Sequence, residues 1–465
     1  MSSLIPGVSV DVRTFPVAPN VSGSGGTVGF VGDFVFGPLN EIISINSPSE
    51  INSTLGGLGK ADARALYAIL LQSPKALKVV RVAGSSADYA TKTLLAAGDA
   101  DSLTLTAKYK GAYGNNITFA VTDGVLTITY GGETENYAFT TLDGLVNAIN
   151  DHSELVTATK DGTLVPVNIS STALAGGTDG VVNDAAYIGG FDSVTDSRTG
   201  LSLFETDKDI DIVTIGGDPS TAKNAALAAH CESFKRIASI PIIATLLANV
   251  ITEVAAYSSA NGQSVSAYPN LTFTISGTNY SINGGIVYAG LLGRIDPHRS
   301  SANQFIFGCV GTDRGLTASE MEQLIIAGVN PITLKGTGYA VRHGLTFASS
   351  TDWKQIGVRR VFNIMVKDLE EILDEFVGEP NGEDLWRNVI ARMDGYMRGL
   401  RTANWIEDFL NQCDATINTP QVVSAGRLLA KSYAKPRYIS HYIGIELNKV
   451  IEMIVQKKEK KEESE

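Results

Sequence analysis

Apolar residues recur at helical spacing in two neighbouring stretches near the end of the chain. The first runs from Ile356 to Phe376 and the second from Leu385 to Leu400. Apolar positions every three or four residues predict amphipathic helices. Ser350–Asp352 supplies N-cap oxygens for the first helix, and Asn381-Gly382 interrupts the pattern before the second. The segment Val329–Asp414 therefore predicts a compact helical pair, and no set of catalytic residues is evident in it.

Strand and helix patterns alternate in two other parts of the chain, and both favour α/β layers. The predicted strands are short apolar runs, at Val28–Val35, Ile42–Ile45, Leu77–Val82, Ile210–Ile215, Ile240–Leu246 and Phe305–Phe307. The predicted helices are Ala61–Gln72, about 219–236, about 250–260 and one that opens at the Thr317–Glu320 capping box and stops at Gly328. A mostly parallel sheet with helices on both faces is the natural packing for 181–345.

The segment Asp101–Ile169 has a different pattern, in which apolar and polar residues alternate. Leu103, Leu105 and Ala107 are separated by threonines, and the same period of two returns near Phe119 and Ile128. Half-buried antiparallel strands have this pattern. We therefore predict a small β-rich inserted domain with one short helix, closed by the glycine-rich linker 175–180.

Both ends of the chain predict extended arms. Val8, Val10 and Val12 alternate with polar residues, and the Ser/Gly-rich stretch 21–27 is typical of a flexible linker. A lone strand needs a sheet edge, which another subunit could supply, and the alternative is a frayed terminus. At the other end Arg437–Val450 predicts a strand, and the final KKEKKEESE is typical of a solvated tail.

Composition limits the classes of function. The 465 residues allow about three or four domains, and 44% hydrophobic with 18% charged residues predicts a folded core. A net charge of −12 argues against general nucleic-acid binding. The three cysteines fit neither a disulfide framework nor a zinc site. We expect synthesis in a cytoplasm and no membrane insertion, because the start lacks a secretory signal and no apolar run is long enough to span a bilayer.

Candidate chemistry is sparse. Gly216-Gly217-Asp218 could cradle a phosphate at a helix N-terminus but lacks the spacing of nucleotide-binding loops. The histidines show no metal-site spacing, and we expect no cofactor. A serine hydrolase triad could be drawn only from residues without a nucleophile-elbow motif, namely Asp211 or Asp218, His230 or His343, and Ser300 or Ser301.

An acidic group lies on the first of the two predicted helices. Its members are Asp368, Glu370, Glu371, Asp374 and Glu375. Exposed charge of this kind usually forms a solvated helix face. The alternative is a docking surface for a partner with a basic face.

Several segments together resemble the tail sheath proteins of contractile phages and related injection machines. The segments that carry the resemblance are IPGVSVDV (5–12), GFVGDFVFGPLNE (29–41), ALKVVRVAG (76–84), KYKGAYGNNITFAV (108–121), VNPITLKGTGYAVRHGLTFASSTDWKQIGVRRVFN (329–363), PNGEDLWRNV (380–389) and QCDATINTPQVVSAGRLLA (412–430). The resemblance covers nearly the whole chain in the family's order, although 181–316 matches mainly by position. The Lys/Glu tail after Val455 departs from the pattern.

The resemblance implies an α/β, multidomain fold. It would contain a subtilisin-like α/β domain without proteolytic activity, an inserted β-sandwich domain, an α+β C-terminal domain and extended N- and C-terminal arms. The implied divisions are an N-terminal arm and linker (1–26), an N-terminal α/β segment (27–98), the β-sandwich insertion (99–180), the subtilisin-like domain (181–345), the tube-facing C-terminal domain with its arm (346–455) and a charged tail (456–465).

The resemblance also implies a function: a structural, non-enzymatic subunit that polymerises helically around an inner tube and contracts to drive the tube through a cell envelope. The expected partners are further copies of the chain, the inner tail tube protein, and baseplate and tail terminator proteins. The protein would be made in the cytoplasm of a host bacterium and mature in a virion tail or an extracellular contractile particle. The rival classes are a serine hydrolase and a non-contractile surface structural protein.

Three groups of residues are the candidate sites that follow from the resemblance and the charge pattern. The arms would each add a strand to a sheet in neighbouring C-terminal domains. The N-arm residues are Pro6, Gly7, Val8, Val10 and Val12. The C-arm residues are Arg437, Ile439, Tyr442, Ile443, Ile445 and Leu447. The candidate tube-facing residues are Asp368, Glu371, Asp374 and Glu375.

Overall fold

The computed structural model describes residues 25–440. Its strands are β1 (Thr27–Asp33), β2 (Ile42–Ser44), β3 (Ala76–Val82), β4 (Thr91–Leu95), β5 (Asp101–Ala107), β6 (Thr118–Thr122), β7 (Val125–Tyr130), β8 (Glu133–Ala138), β9 (Val156–Lys160), β10 (Ile169–Ala173), β11 (Gly190–Asp192), β12 (Ser197–Thr199), β13 (Ile212–Ile215), β14 (Ile237–Ser239), β15 (Ser264–Val265), β16 (Ala267–Tyr268), β17 (Leu271–Ile275), β18 (Thr278–Ile282), β19 (Cys309–Thr312), β20 (Asn330–Lys335), β21 (Gly338–Val341), β22 (Ile406–Gln412) and β23 (Lys431–Pro436). Its α-helices are α1 (Pro48–Leu55), α2 (Ala61–Leu71), α3 (Leu142–His152), α4 (Asp184–Ile188), α5 (Thr221–Ser233), α6 (Leu247–Ala255), α7 (Gly284–Arg294), α8 (Ala318–Ile326), α9 (Ile356–Asp374), α10 (Glu383–Thr402) and α11 (Pro420–Ser424).

The central sheet has the strand order β15-β14-β13-β1-β3-β2. Every neighbouring pair is parallel except β2 with β3. Val28 and Phe30 of β1 join the core cluster that contains α2 and α7, whereas Val31 joins the cluster that contains α5 and α6. Successive strand residues point to opposite faces, so helices cover both faces of this sheet. The predicted parallel layer with helices on both faces is confirmed, but β1, β2 and β3 of this sheet lie outside the predicted range 181–345.

The chain between β4 and β10 forms two antiparallel sheets, ordered β4-β5-β9 and β10-β6-β7-β8. Both sheets and α3 contribute to one shared core. The chain enters and leaves this segment side by side, because the N–H of Gly84 donates to the carbonyl of Asp179 and the N–H of Asp88 donates to that of Thr178. We call this paired entry and exit the neck.

Two predicted strands of the α/β region are wrong. The stretch 240–246 is not a strand; the chain pairs earlier, as β14, and then leaves the sheet. Pro241 has no N–H to donate to a ladder, which accounts for the exit. Phe305–Phe307 makes only an isolated bridge between Phe305 and Ala340, and the strand follows it as β19. In contrast, the Thr317–Glu320 capping box opens α8 as predicted.

The helical pair α9–α10 is confirmed, with one change at its start. The hydroxyl of Ser350 caps a short 3₁₀ turn at Thr351–Trp353, and α9 itself begins after Gln355. Apolar residues of both helices, including Val361, Ile364 and Met397, form a core with Trp405 and Ile406. The pair is therefore packed against the start of β22, which the sequence pattern did not predict.

Candidate functional site

The βα turn at Gly216-Gly217 is occupied by a side chain of the protein itself. The N–H of Gly217 donates to the Asp62 carboxylate, which also accepts from the N–H of Asp33 at 2.7 Å and from the Tyr187 hydroxyl at 2.8 Å. Burial raises the pKa of Asp62, and the three hydrogen bonds oppose that shift. Because the Asp62 carboxylate accepts from the N–H groups of Gly217 and Asp33, these donors are not available to a phosphate.

The histidines and serines named for a hydrolase triad make other contacts. The Ser301 hydroxyl donates to the backbone carbonyl of His343 at 2.9 Å and lies 2.7 Å from the Tyr288 hydroxyl. His230 faces the Arg236 guanidinium at 2.9 Å. Burial, reinforced by that positive charge, lowers the pKa of His230 to about 3, so its ring is neutral at pH 7. Asp211 pairs with Lys367 at 2.8 Å.

Neither a metal site nor a membrane-spanning helix is present in the described part of the chain. Residues 25–440 contain no group of three or more potential metal ligands. Over the same residues, no helix is long and apolar enough to cross a membrane.

The hairpin β22–β23 is a two-stranded sheet with exposed edges. Neither strand pairs with any other strand within the residues that the structure describes. On its inner face Phe409, opposite Ala434, packs against the core of α9 and α10. On its outer face Leu410, opposite Tyr433, is 65% exposed, and Tyr433 is 55% exposed. Exposed strand edges are templates for pairing with another chain, so this hairpin is the best candidate interface.

The arm residues lie partly or wholly outside the described residues. Pro6, Gly7, Val8, Val10 and Val12 all fall outside them, as do Tyr442, Ile443, Ile445 and Leu447. Of the predicted strand Arg437–Val450, residues 437–440 are described and are not a strand. The strand in this region lies earlier, as β23, and Pro436 ends it because proline cannot donate to a ladder.

The acidic group on α9 divides into one buried residue and four exposed residues. Asp368 is buried and accepts a hydrogen bond from the Tyr396 hydroxyl of α10 at 2.8 Å. Burial raises the pKa of its carboxyl group. The expectation that Asp368 is a surface contact is thus wrong for the described chain, because its side chain is buried between α9 and α10. Glu370, Glu371, Asp374 and Glu375 are exposed.

An open groove follows the loop between α9 and α10 and has a volume of about 1080 Å³. Glu375, Glu379 and Asp384 line it together with Arg387 and Arg392. Glu375 is held by Arg392, at 2.6 Å and 3.2 Å. The groove therefore carries both positive and negative side chains. The ion pair with Arg392 also reduces the negative charge that Glu375 offers to a partner.

Sequence reasoning missed β22, β23 and the hairpin β17–β18. The hairpin β17–β18 carried a usable signal, since its strands alternate around the turn residues Ser276-Gly277. The strand β23 carried none, because its sequence KSYAKP is mostly polar and exposed.

Comparisons with known proteins find similarity to tail sheath proteins. The family model for the phage tail sheath C-terminal domain matches residues 348–443. The tail sheath protein of Enterobacteria phage T4 is 25% identical over 127 residues, which are 27% of this chain and 19% of that protein. The chain therefore aligns with about a fifth of the length of this curated relative.

Two solved structures share the fold over most of their length. A sheath tail protein of Desulfitobacterium hafniense has a TM-score of 0.64 and 19% identity, covering 88% of this chain and 94% of its own. The helical sheath of the anti-feeding prophage in its contracted state has a TM-score of 0.57 and 15% identity, covering 97% of this chain and all of its own. The mixed α/β multidomain architecture is thus that of sheath proteins.

Proposed function

We propose that this chain, which has the fold of tail sheath proteins and matches their C-terminal domain over residues 348–443, is a structural subunit of a contractile sheath. Many copies would polymerise helically around an inner tube and contract to drive that tube through a cell envelope. The observation that carries the proposal is the hairpin β22–β23, whose outer edges have no strand partner within residues 25–440. It lies inside the matched segment.

The assembly mechanism we propose is strand addition. The N-arm, with Val8, Val10 and Val12, and the C-arm beyond Arg437 would each pair with a C-terminal hairpin of a neighbouring subunit. Strand addition gives many backbone hydrogen bonds, and flexible flanks leave the folded bodies free to rotate. Head-to-tail contacts of this kind do not close on themselves and so generate helical polymers.

The energy for contraction would be stored when the sheath assembles. An extended, metastable lattice converts to a shorter and wider one whose subunit contacts are more favourable. Such a conversion consumes no nucleotide, and the N–H of Gly217, at the turn where an α/β sheet commonly binds one, already donates to Asp62. The role we propose is therefore structural, without a catalytic step.

We propose a division of the chain into domains, which its separate core clusters support. We propose an arm (1–26), an α/β body built from 27–98 and 181–345 with a subtilisin-like fold, an outward-pointing β-sandwich insertion (99–180), a tube-facing C-terminal domain (346–455) and a charged tail (456–465). The shared core of two antiparallel sheets supports the insertion. The two cores built on α9 and α10 support the C-terminal domain.

For the tube contact we propose the exposed acids of α9, Glu371 and Asp374, with Glu375 contributing less because it pairs with Arg392. Baseplate and tail terminator proteins would cap the polymer at its two ends. The subunit would be made in a host bacterial cytoplasm and would act in a virion tail or an extracellular contractile particle.

Negative-stain microscopy of the purified protein, alone and with its inner tube protein, tests the proposal. Striated tubes in two lengths are the expected result. Other assemblies, or none with the tube present, would favour a non-contractile surface protein. Labelling by a serine-reactive fluorophosphonate, lost on mutation of one serine, would instead identify a hydrolase.

A further inference from the structure

The C-terminal end of the described chain is held by the residue that precedes α9. The side-chain oxygen of Gln355 accepts a hydrogen bond from the N–H of Ile439 at 3.0 Å, and its amide nitrogen donates to the carbonyl of Ile439 at 3.3 Å. Gly357, in the first turn, keeps this approach close, since a Cβ there would lie 3.1 Å from the Ile439 side chain. Ile439 is the root of the proposed C-arm.

The N-terminal end of the described chain is held by the same helix. The buried Arg360 guanidinium donates to the carbonyl of Gly25, and also to those of Leu292 at 2.8 Å and Ile295 at 3.2 Å. Gly25 is packed so closely that a Cβ would lie 2.2 Å from Pro297 and 2.7 Å from Ile364. Gly25 is the root of the proposed N-arm.

A second contact ties the N-terminal root to α9 two turns further on. Lys367 forms an ion pair with Asp211 at 2.8 Å. The other carboxylate oxygen of Asp211 accepts from the N–H of Thr27 at 3.3 Å. The N-terminal root is therefore held to α9 at two points: at Gly25, before β1, and at Thr27, where β1 begins.

The two anchor residues are close together. Gln355 and Arg360 are separated by about 8 Å along a helix axis. An α-helix is stiff over such a distance, because every turn is closed by backbone hydrogen bonds. We infer that the first turns of α9 are a mechanical junction, which passes tension from one arm to the other through side chains of one helix.

The inference rests on the proposed function, because the arms carry tension only in a sheath. In the assembled sheath, Gln355 and Arg360 act as positioning residues that fix where each arm leaves the subunit. A subunit pulled through both arms would then keep its body folded, since the force enters and leaves through neighbouring side chains of one helix.

Hydrogen exchange on the purified monomer tests the anchors themselves. Gln355→Ala should speed exchange of the Ile439 amide roughly 5- to 30-fold, because it removes the only acceptor that we find for that N–H within residues 25–440. Arg360→Met should speed exchange at Thr27. Gln263→Ala is the matched control. It removes a buried amide pair with Asn363 on the same helix but contacts neither root.

Assembled sheaths test the transmission of tension. Variants that retain the wild-type circular dichroism are polymerised on the tube and then converted with dilute guanidinium. We expect Gln355→Ala sheaths to form but to fragment on contraction, with the intact fraction reduced severalfold relative to Gln263→Ala. Because Gln355 is only half-buried, this variant remains informative even if Arg360→Met fails to fold.

Unchanged exchange at Ile439 in Gln355→Ala would overturn the anchor. If the Ile439 amide of Gln355→Ala exchanges faster but its sheaths contract intact, the junction is overturned and the proposed function still stands. If wild-type protein forms no sheath on any tube, the proposed function fails and the junction fails with it.

Discussion

The strand β1 and the hairpin β22–β23 use their hydrogen-bonding edges in opposite ways. β1 pairs in parallel with β13 on one side and with β3 on the other, and six of its seven residues are buried. β22 and β23 pair only with each other among the described strands, and they present Leu410 and Tyr433 to solvent. The chain thus completes its own sheet in one region and leaves a sheet incomplete in the other.

This difference separates stability from assembly. A strand buried on both faces contributes to folding, because every side chain leaves water and every backbone group finds a partner. A two-stranded sheet is marginally stable by itself and gains from added strands. Substitutions in β1 should therefore lower stability, whereas substitutions in the hairpin should lower polymerisation and leave the fold intact.

Deletion of residues 1–14 should have the largest effect. We expect a folded monomer that forms no sheath, because the hairpin of each neighbour loses its added strand. Circular dichroism checks the fold, and sedimentation with electron microscopy checks the polymers. Polymers of normal length from the truncated chain would contradict the arm assignment.

Phe30→Ala in β1 should lower the free energy of unfolding of the α/β body by about 3–5 kcal/mol, because it leaves a cavity in a fully buried core. Phe191→Ala on the exposed strand β11 is the control and should cost less than about 1 kcal/mol. Chemical denaturation measures both values. Equal costs would mean that β1 is not a core strand.

Leu410→Lys on the hairpin should change the free energy of unfolding by less than about 0.5 kcal/mol, since the side chain is already exposed. It should nevertheless reduce polymerisation severalfold. Leu334→Lys is matched to it, because Leu334 is a strand leucine that is 62% exposed elsewhere on the surface. Light scattering during assembly compares the two variants. Identical curves would contradict the assignment of the hairpin to the interface.

Glu371→Lys with Asp374→Lys should weaken assembly templated by the tube, and the defect should shrink as salt is raised. Glu322→Lys on α8 is the control for an exposed acid elsewhere. Co-sedimentation with the tube at several salt concentrations measures the effect. Equal binding by all variants at every salt concentration would assign these acids to a solvated face.

Asp368→Asn should have the smallest effect and act on stability alone. The folded state raises the pKa of Asp368, so it binds the proton more tightly than the unfolded state does. Stability from this group is therefore full below the unfolded pKa of about 3.9 and declines as pH rises through the folded value. The amide does not titrate, so the substitution should abolish that decline. Melting temperatures from pH 3 to 7 compare this variant with Glu370→Gln.

The parts of the fold that the sequence predicted are those in which a pattern is completed within one chain. The strands β1 and β3 are nearly continuous apolar runs because helices cover both of their faces. The capping box of α8 is likewise a local signal. These elements could be located to within a few residues.

The parts of the fold that the sequence could not predict depend on contacts between residues that are distant in sequence. The burial of Asp368 follows from Tyr396 on the next helix, and periodicity alone placed this acid with its exposed neighbours. The strand β23 has a polar sequence because its outer face is exposed in the single chain. The anchors Gln355 and Arg360 join residues 84 and 335 positions away, so no local motif could reveal them.

The neck at Gly84 and Asp179 makes the β-rich segment an exchangeable module. Its two ends are already joined by hydrogen bonds, so its length can change without altering the register of any parallel strand. Lengthening or shortening the module would leave the hydrogen bonds of Gln355 and Arg360 unchanged, because their partners lie outside it. The same position offers an insertion point for a reporter domain or a displayed peptide.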